Sequence, residues 1–374
     1  MATYYVKPTG SNAASGTSVA NAWQTLTFAL GATSGFASGD TLWVAAGTYR
    51  EVVTVGMTNP TATTTIKGDT NGAIFGTAGE CRITAFTTND DSGSSASNAL
   101  TVTSKNFLYW QNLKFEGGTG YGVQVTGTST NNTFDTCICT TTGGNAGLRL
   151  EAATNVTGNH TAKNCVIVAR ANALQIVGAA PSSGDQNMGI TIQNCFVITS
   201  ISNCIFLNST GATGTLSGVT ITNCTLFGGT GGILIGTATY RSATASVTVR
   251  NCLMLSHTTG LAANVSGQMD EDYCRLVSYS TARSLVTAGA NSISNGIYGI
   301  DFDGGFMTGA GKYLFMMPNV PNILSGDGTA TGAPTTDIYG YTRPNPPSVG
   351  AAESNTLTSG GMMVHPGMAG GMRG

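Results

Sequence analysis

Six segments of this chain can be laid on top of one another: YWQNLKF (109–115), TFDTCIC (133–139), TAKNCVI (161–167), TIQNCFV (191–197), TITNCTL (220–226) and TVRNCLM (248–254). Four carry Asn-Cys, at Asn164-Cys165, Asn194-Cys195, Asn223-Cys224 and Asn251-Cys252, while Asn112-Leu113 and Thr136-Cys137 are looser copies. Successive cysteines from Cys137 to Cys252 lie 28, 30, 29 and 28 residues apart. A fixed period in this range marks a repeat architecture. A second signal runs in phase. Eight to ten residues after each landmark comes a small residue followed by apolar-x-apolar, as in Gly122-Val123-Gln124-Val125, Ala173-Leu174-Gln175-Ile176 and Gly232-Ile233-Leu234-Ile235.

Strand alternation within one copy puts Val219 and Ile221 inward and Thr220 outward. Asn223 then turns the chain, and Cys224 and Leu226 return to the core. Copies stacked about 4.8 Å apart place like residues in columns. Asn112, Asn164, Asn194, Asn223 and Asn251 form a column whose amides can bond from rung to rung. Cys137, Cys165, Cys195, Cys224 and Cys252 form a buried one, and Thr133, Thr161, Thr191, Thr220 and Thr248 an outward one. Cysteines at one phase of a repeat, in an odd total of nine, read as small core residues and not as a disulfide framework.

Composition agrees with short strands and tight turns: 41% hydrophobic, 9% charged and 52 glycines in 374 residues. Helical domains usually carry about a quarter charged residues. A formal net charge of −2, without basic runs, argues against nucleic acid as a partner. No apolar run reaches the length of a membrane span, and the N-terminus has no basic-then-apolar secretory pattern.

The remainder divides as follows. Residues 1–56 are an N-terminal cap and first strands, with apolar residues at 22, 23, 26, 29 and 30 spaced as in a short capping helix. Residues 57–275 are rungs, 276–353 irregular C-terminal rungs and a closing segment, and 354–374 a Gly/Met-rich tail. The order Tyr5-Val6-x-Pro8-x-Gly10, Trp23-Gln24-Thr25-Leu26, Gly39-Asp40-Thr41 and Gly47-Thr48-Tyr49-Arg50-Glu51 resembles the start of right-handed parallel β-helix proteins of the pectate-lyase-like superfamily. The closing residues Asp337-x-x-Gly340-x-x-Arg343-Pro344 and Val349-Gly350-Ala351-x-Glu353 resemble the ending common in that superfamily. The resemblance implies an all-β, right-handed parallel β-helix of about nine or ten rungs. It matches no specific enzyme family, since the superfamily holds lyases, hydrolases, epimerases, tailspikes and structural proteins.

Catalysis on a polysaccharide needs carboxylates facing one another from neighbouring rungs. Between Glu151 and Asp270 the sequence has a single acid, Asp185. The catalytic candidates are therefore at the C-terminal side: Asp270, Asp272, Asp301, Asp303 and Lys312. Asp135 with Glu151, in consecutive segments, form a further pair, although Arg149 makes an ion pair with Glu151 the simpler expectation. Asp301-x-Asp303-Gly304 is a fragment of a calcium loop, and Asp270-Glu271-Asp272 with Arg275 could bind a cation, although a solvated turn is the simpler expectation there; otherwise no cofactor or metal is expected. His160 takes an inward phase and reads as a structural histidine, and His257 as a turn residue.

The function expected is that of a non-enzymatic structural β-helix, a virion surface protein such as a capsid decoration or fibre component. It would assemble in the host cytoplasm, dock through its ends and its tail, and bind glycans. Met362, Met363, Met368 and Met372 are the partner-binding residues of the tail, and a homo-oligomer, a trimer for example, and a capsid are the expected partners. The alternatives are a polysaccharide lyase, hydrolase or tailspike depolymerase acting on acidic glycans, exported by a non-classical route, and an ice- or surface-binding helix using the Thr column.

Overall fold

The computed structural model describes residues 1–88, 97–179, 185–210, 215–236, 247–295, 327–338 and 340–352. Ten strands stack in parallel as sheet one, from Thr3–Val6 and Thr41–Val44 to Val247–Arg250 and Met269–Asp272. From the second onward, each is followed by a strand of sheet two (Gly47–Arg50, Cys81–Thr84, Lys114–Gly117, Ile138–Thr141 and onward) and then by sheet three (Val53–Thr54, Leu100–Thr103, Val123–Thr126, Leu148–Ala152 and onward). Sheets two and three merge at the C-terminal side, where the ten-residue strands Leu253–Ala262 and Arg275–Ser284 run through both. The result is a parallel β-helix, and ten rungs at about 4.8 Å each make a rod of roughly 45 Å.

Register confirms both phased signals. Tyr109, Thr133, Thr161, Thr191, Thr220 and Thr248 are partners across sheet one. The apolar-x-apolar copies Val123/Val125, Leu148/Leu150, Leu174/Ile176, Ile205/Leu207 and Ile233/Ile235 are partners across sheet three. The inward positions of sheet one, Leu42, Ile66, Trp110, Phe134, Ala162, Ile192, Ile221 and Val249, are all at most 1% exposed. Trp110 and Phe134 stack at 6.2 Å, and Ala162 on the next rung makes room for their bulk.

The Asn-Cys dipeptide is the corner itself. Asn112, Thr136, Asn164, Asn194, Asn223, Asn251 and Tyr273 share φ between 50° and 56°, the left-handed region that Asn tolerates better than most residues. Tyr273 thus takes the Asn place in a shorter tenth rung, where Cys274 joins the thiol column. Every thiol of that column donates to the carbonyl two residues upstream, at 3.2–3.5 Å. All nine cysteines are free and buried, and burial pushes thiols such as Cys165, Cys224 and Cys252 above their ordinary range.

The amide ladder is discontinuous. Asn194 donates to Asn164 at 3.2 Å and Asn251 to Asn223 at 3.3 Å. Between Asn194 and Asn223 the closing segment intervenes, with Arg343 Nη2 2.8 Å from Asn194 Oδ1.

Three local expectations are corrected. Of the helical spacing at 22–30, only one turn, Leu26–Ala29, is helical, with Thr25 as N-cap. Trp23 instead forms a parallel bridge to Val6, its N–H donating to Tyr5 O and its carbonyl accepting from Lys7 N, both at 2.9 Å. The open edge of the first strand demands hydrogen bonds that a helix could not supply, so an extended residue covers it. His257 lies within the continuous strand Leu253–Ala262 and not in a turn, because the corner between sheets two and three has vanished there. Asp135 and Glu151 do not meet: Asp135 ends a strand of sheet one, and Glu151 belongs to sheet three.

The last rung is closed by charge. Val249 of the core column is followed by Glu271, and Leu261 by Arg283, so both polar residues point inward. Arg283 Nη2 lies 2.6 Å from Glu271 Oε1, Ser292 donates to Oε2 at 2.5 Å, and Gly289 N–H donates to Oε1 at 3.0 Å. A buried pair with its remaining lone pairs filled is tolerable, whereas removal of one member costs about 3–5 kcal/mol.

Candidate functional site

Alternation sends two columns out of sheet one. The first is the threonine column with Tyr109 in it. The second reads Tyr5, Trp43, Lys67, Gln111, Asp135, Lys163, Gln193, Thr222, Arg250 and Asp272, each the register partner of the next. From Tyr5 to Lys163 this column spans roughly 24 Å at one rung per step.

Its N-terminal half is aromatic and cationic. Lys67 Nζ sits 5.0 Å above the Trp43 ring, and the ring of Phe75 meets that of Tyr5 edge-on at 6.0 Å. Phe75 is held by the buried Asp69, whose Oδ2 accepts the N–H groups of Ile74 and Phe75 at 3.0 and 2.8 Å. Tyr5, Trp43 and Lys67 remain half-buried. Two rungs on, the Tyr109 hydroxyl donates to Asp135 Oδ2, Lys163 Nζ is 3.4 Å from the same oxygen, and Asn164 and Thr136 donate to Oδ1 at 2.9 and 3.1 Å. Burial and the bond to Asp135 push the Tyr109 hydroxyl well above its ordinary range. Tyr109 is therefore a neutral donor and not a base.

The carboxylates decide what this surface can do. Asp135 is saturated by four donors. Glu151 is held by Arg149 at 2.9 Å and Thr126 at 3.0 Å, the ion pair expected from sequence, with Arg149 also donating to Tyr121. Arg82 pairs with Glu116, and Lys114 lies 3.2 Å from Glu80. Asp270 pairs with Arg250 at 2.5 Å. Asp272 accepts from Tyr273 N, Asn291 N and Asn291 Nδ2 at 2.8–3.0 Å. Burial alone would push the Asp272 carboxyl up, but the bonds from Asn291 and Tyr273 outweigh it and hold it below the usual carboxylate range. Asp270 and Asp272 are thus parts of the end closure. No group of three or more His, Cys, Asp or Glu side chains that could hold a metal ion occurs among the described residues. Asp301, Asp303, Lys312, Met362, Met363, Met368 and Met372 lie outside the described residues.

Arg82, Lys114, Arg149, Lys163, Arg250, Arg275 and Arg283 each face a carboxylate. Lys7 and Lys105 instead donate to the carbonyls of Val19 and Met57, and Lys67 carries its charge on an aromatic face, with no carboxylate partner among the described residues. Sequence reasoning passed over Trp43 and Lys67 because they repeat no motif. The signal was available in alternation, which places Trp43 and Lys67 at the same outward phase as Thr222.

Both histidines among the described residues serve the core. His160 Nδ1 accepts the Asn132 N–H at 3.3 Å and Nε2 lies 3.2 Å from Glu151 O, so the neutral Nε2–H tautomer fits. Burial pushes its pKa down to about 4, and that of His257 likewise.

No family model matches the chain, and no curated protein does. Solved structures do match. The crystal structure of pectate lyase Pel9A aligns with a TM-score of 0.57 at 15% identity, over 95% of this chain and 97% of that one. The likeness is one of fold, a parallel β-helix. A rhamnogalacturonan lyase aligns at a TM-score of 0.47 and 12% identity, over 81% of this chain and 91% of that one. A pectin methylesterase from Aspergillus niger aligns at 0.39 and 16%, over 78% and 83%.

Proposed function

We propose that this chain is a non-catalytic β-helix that holds an acidic polysaccharide along the outer face of sheet one. The observation that carries the reading is the state of the acids. Each of the twelve carboxylates whose side chains are described accepts a hydrogen bond or faces a cation within the protein. Hydrolysis of a glycosidic bond requires a carboxylic acid and a carboxylate turned towards the sugar, and these are turned towards their own partners. Binding asks for less. Half-exposed aromatic rings, a row of hydroxyl and amide groups, and an ammonium without its own counter-ion suit a sugar polymer that carries carboxylates. The neighbour named for pectate supports the same ligand class.

In this reading the rod is a surface component of a larger particle, a virion capsid being the assembly its composition suggests, and deletion of 360–374 abolishes incorporation. Calorimetric titration with polygalacturonate and with neutral dextran tests the binding. Only the acidic polymer should bind, and Trp43→Ala and Lys67→Gln should each weaken it about tenfold, the loss expected for one stacked or charge-assisted contact. Equal binding of the neutral polymer, or variants that bind as the parent does, would remove the site from sheet one.

A further inference from the structure

Register carries the outward threonine column of sheet one well beyond the copies that reveal it in the sequence. Thr3, Thr41 and Thr65 precede Tyr109, and Thr133, Thr161, Thr191, Thr220 and Thr248 follow it, each the partner of the next. Counted from Thr3–Val6 as rung one, nine successive rungs present a hydroxyl at one position, in a line of roughly 38 Å. The Tyr109 hydroxyl is taken by Asp135. The eight threonine hydroxyls have no partner among the described residues. Elsewhere the hydroxyls of Thr64, Thr126, Thr141 and Thr199 are bonded within the protein. Gln111 and Gln193 stand half-buried in the neighbouring column, and their amides are also without a partner among the described residues.

Charge along the same face is uneven. Lys67, on rung three over the Trp43 ring, has no carboxylate partner among the described residues. Lys163 lies 3.4 Å from Asp135 Oδ2, and Arg250 2.5 Å from Asp270 Oδ2, so the cations of rungs six and nine are answered within the protein. Asp272 adds a further negative charge on the last rung. At 0.1 M salt the Debye length is about 10 Å, or two rungs, so the Lys67 charge serves rungs one to five. From rung six on, a carboxylate laid along this face finds no free cation and ends beside Asp270 and Asp272. What those rungs do offer is hydroxyl and amide groups, which suit a neutral sugar.

We propose that the ligand of this face is a sparsely charged acidic glycan, with one carboxylated sugar seated on Trp43 and Lys67 and neutral sugars following lengthwise over the free hydroxyls of rungs five to nine. This ligand class rests on the glycan-binding reading above and narrows it. A polyuronate charged at every unit satisfies Lys67 as well, but it must carry its other carboxylates past Asp135, Asp270 and Asp272, where like charge is repelled. A neutral glycan uses the hydroxyl line and leaves Lys67 unanswered. The mixed polymer uses both. Each threonine hydroxyl can donate and accept, as can the hydroxyls of every unit of a pyranose chain. The β-branched side chain restricts χ1, so the line is already ordered before the glycan arrives.

Polygalacturonate and the same polymer with most of its carboxyls converted to methyl esters share a backbone and differ in charge. Titrated calorimetrically into the full chain at equal polymer length, the mostly esterified form should bind about tenfold more tightly. The fully esterified form should fall back about tenfold, because Lys67 then meets no carboxylate, and Lys67→Gln should bind these two forms alike. Thr161→Val, Thr191→Val and Thr220→Val together keep the β-branched shape of the strands and remove three hydroxyls. This triple variant should bind the long, mostly esterified polymer about tenfold more weakly. It should bind a trisaccharide with one free carboxylate, which reaches only the rungs around Lys67, as the parent does. Polygalacturonate bound as tightly as the mostly esterified polymer, or more tightly, would overturn this ligand class and leave the acidic-glycan reading standing. Binding of none of the polymers would remove both. A triple variant that keeps full affinity for the long polymer, or loses the trisaccharide equally, would overturn the lengthwise placement.

Discussion

Acid should loosen this rod through two histidines. His160 and His257 are 0% and 4% exposed, and both have pKa values near 4 in the fold, against an ordinary value near 6.5. The unfolded chain therefore binds protons between about pH 6.5 and 4 that the folded one refuses, so stability is complete above 6.5 and falls as pH drops towards 4. Between pH 7.5 and 4.5 each histidine should withdraw about 2.5 kcal/mol, and the pair about 5 kcal/mol. That is a large part of the ~5–15 kcal/mol that holds a typical domain. The cause is local. Burial disfavours the charged ring at both sites, and protonation of His160 Nδ1 would in addition set two donors against each other at Asn132 N. Urea unfolding at four pH values across this window provides the measurement. His160→Leu should be less stable than the parent at pH 7.5, by about 1–3 kcal/mol for the Asn132 and Glu151 groups left unpaired, but should show half the parent's slope with pH. A parent with flat stability from pH 7.5 to 4.5, or a variant with an unchanged slope, would refute the burial argument.

Other consequences are as direct. None of the nine thiols should react with a disulfide reagent in the folded rod, and all nine should react in denaturant, because every one is buried away from the reagent. Asn223→Ala should cost about 2–3 kcal/mol, the left-handed corner adding ~1–2 to the lost amide bonds, while Asn223→Gly recovers the corner part. Glu271→Ala should fray the C-terminal rungs by about 3–5 kcal/mol, leaving Arg283 buried without its partner. Hydrogen exchange of Val277 against Val125 would register the difference.

What the sequence revealed and what it concealed have physical reasons. The rungs were legible because stacking converts three-dimensional neighbours into a period. Asn at the left-handed corner and Cys beneath it can recur only if the chain returns to the same place. Asp135 and Glu151 were set side by side because linear spacing does not say that the corner at Thr136 sends them to different faces. The apolar spacing around Trp23 read as a helix, since a residue that closes a strand edge is as buried as one on a helix face. The closing segment was visible as a motif, Asp337 to Glu353, but its place was not. The clue lay in Ile138, Val166, Phe196 and Leu253, outward positions too apolar to be left bare. The binding face was the hardest to see, because Tyr5, Trp43 and Lys67 come from three rungs and share no local pattern.

One measurement tests most directly the claim that this rod binds and does not cut. The full chain is incubated with polygalacturonate, and bound polymer is followed alongside new reducing or unsaturated ends. The account predicts saturable binding that Lys67→Gln weakens, with polymer length unchanged. Release of shortened, unsaturated or newly reducing products would contradict it.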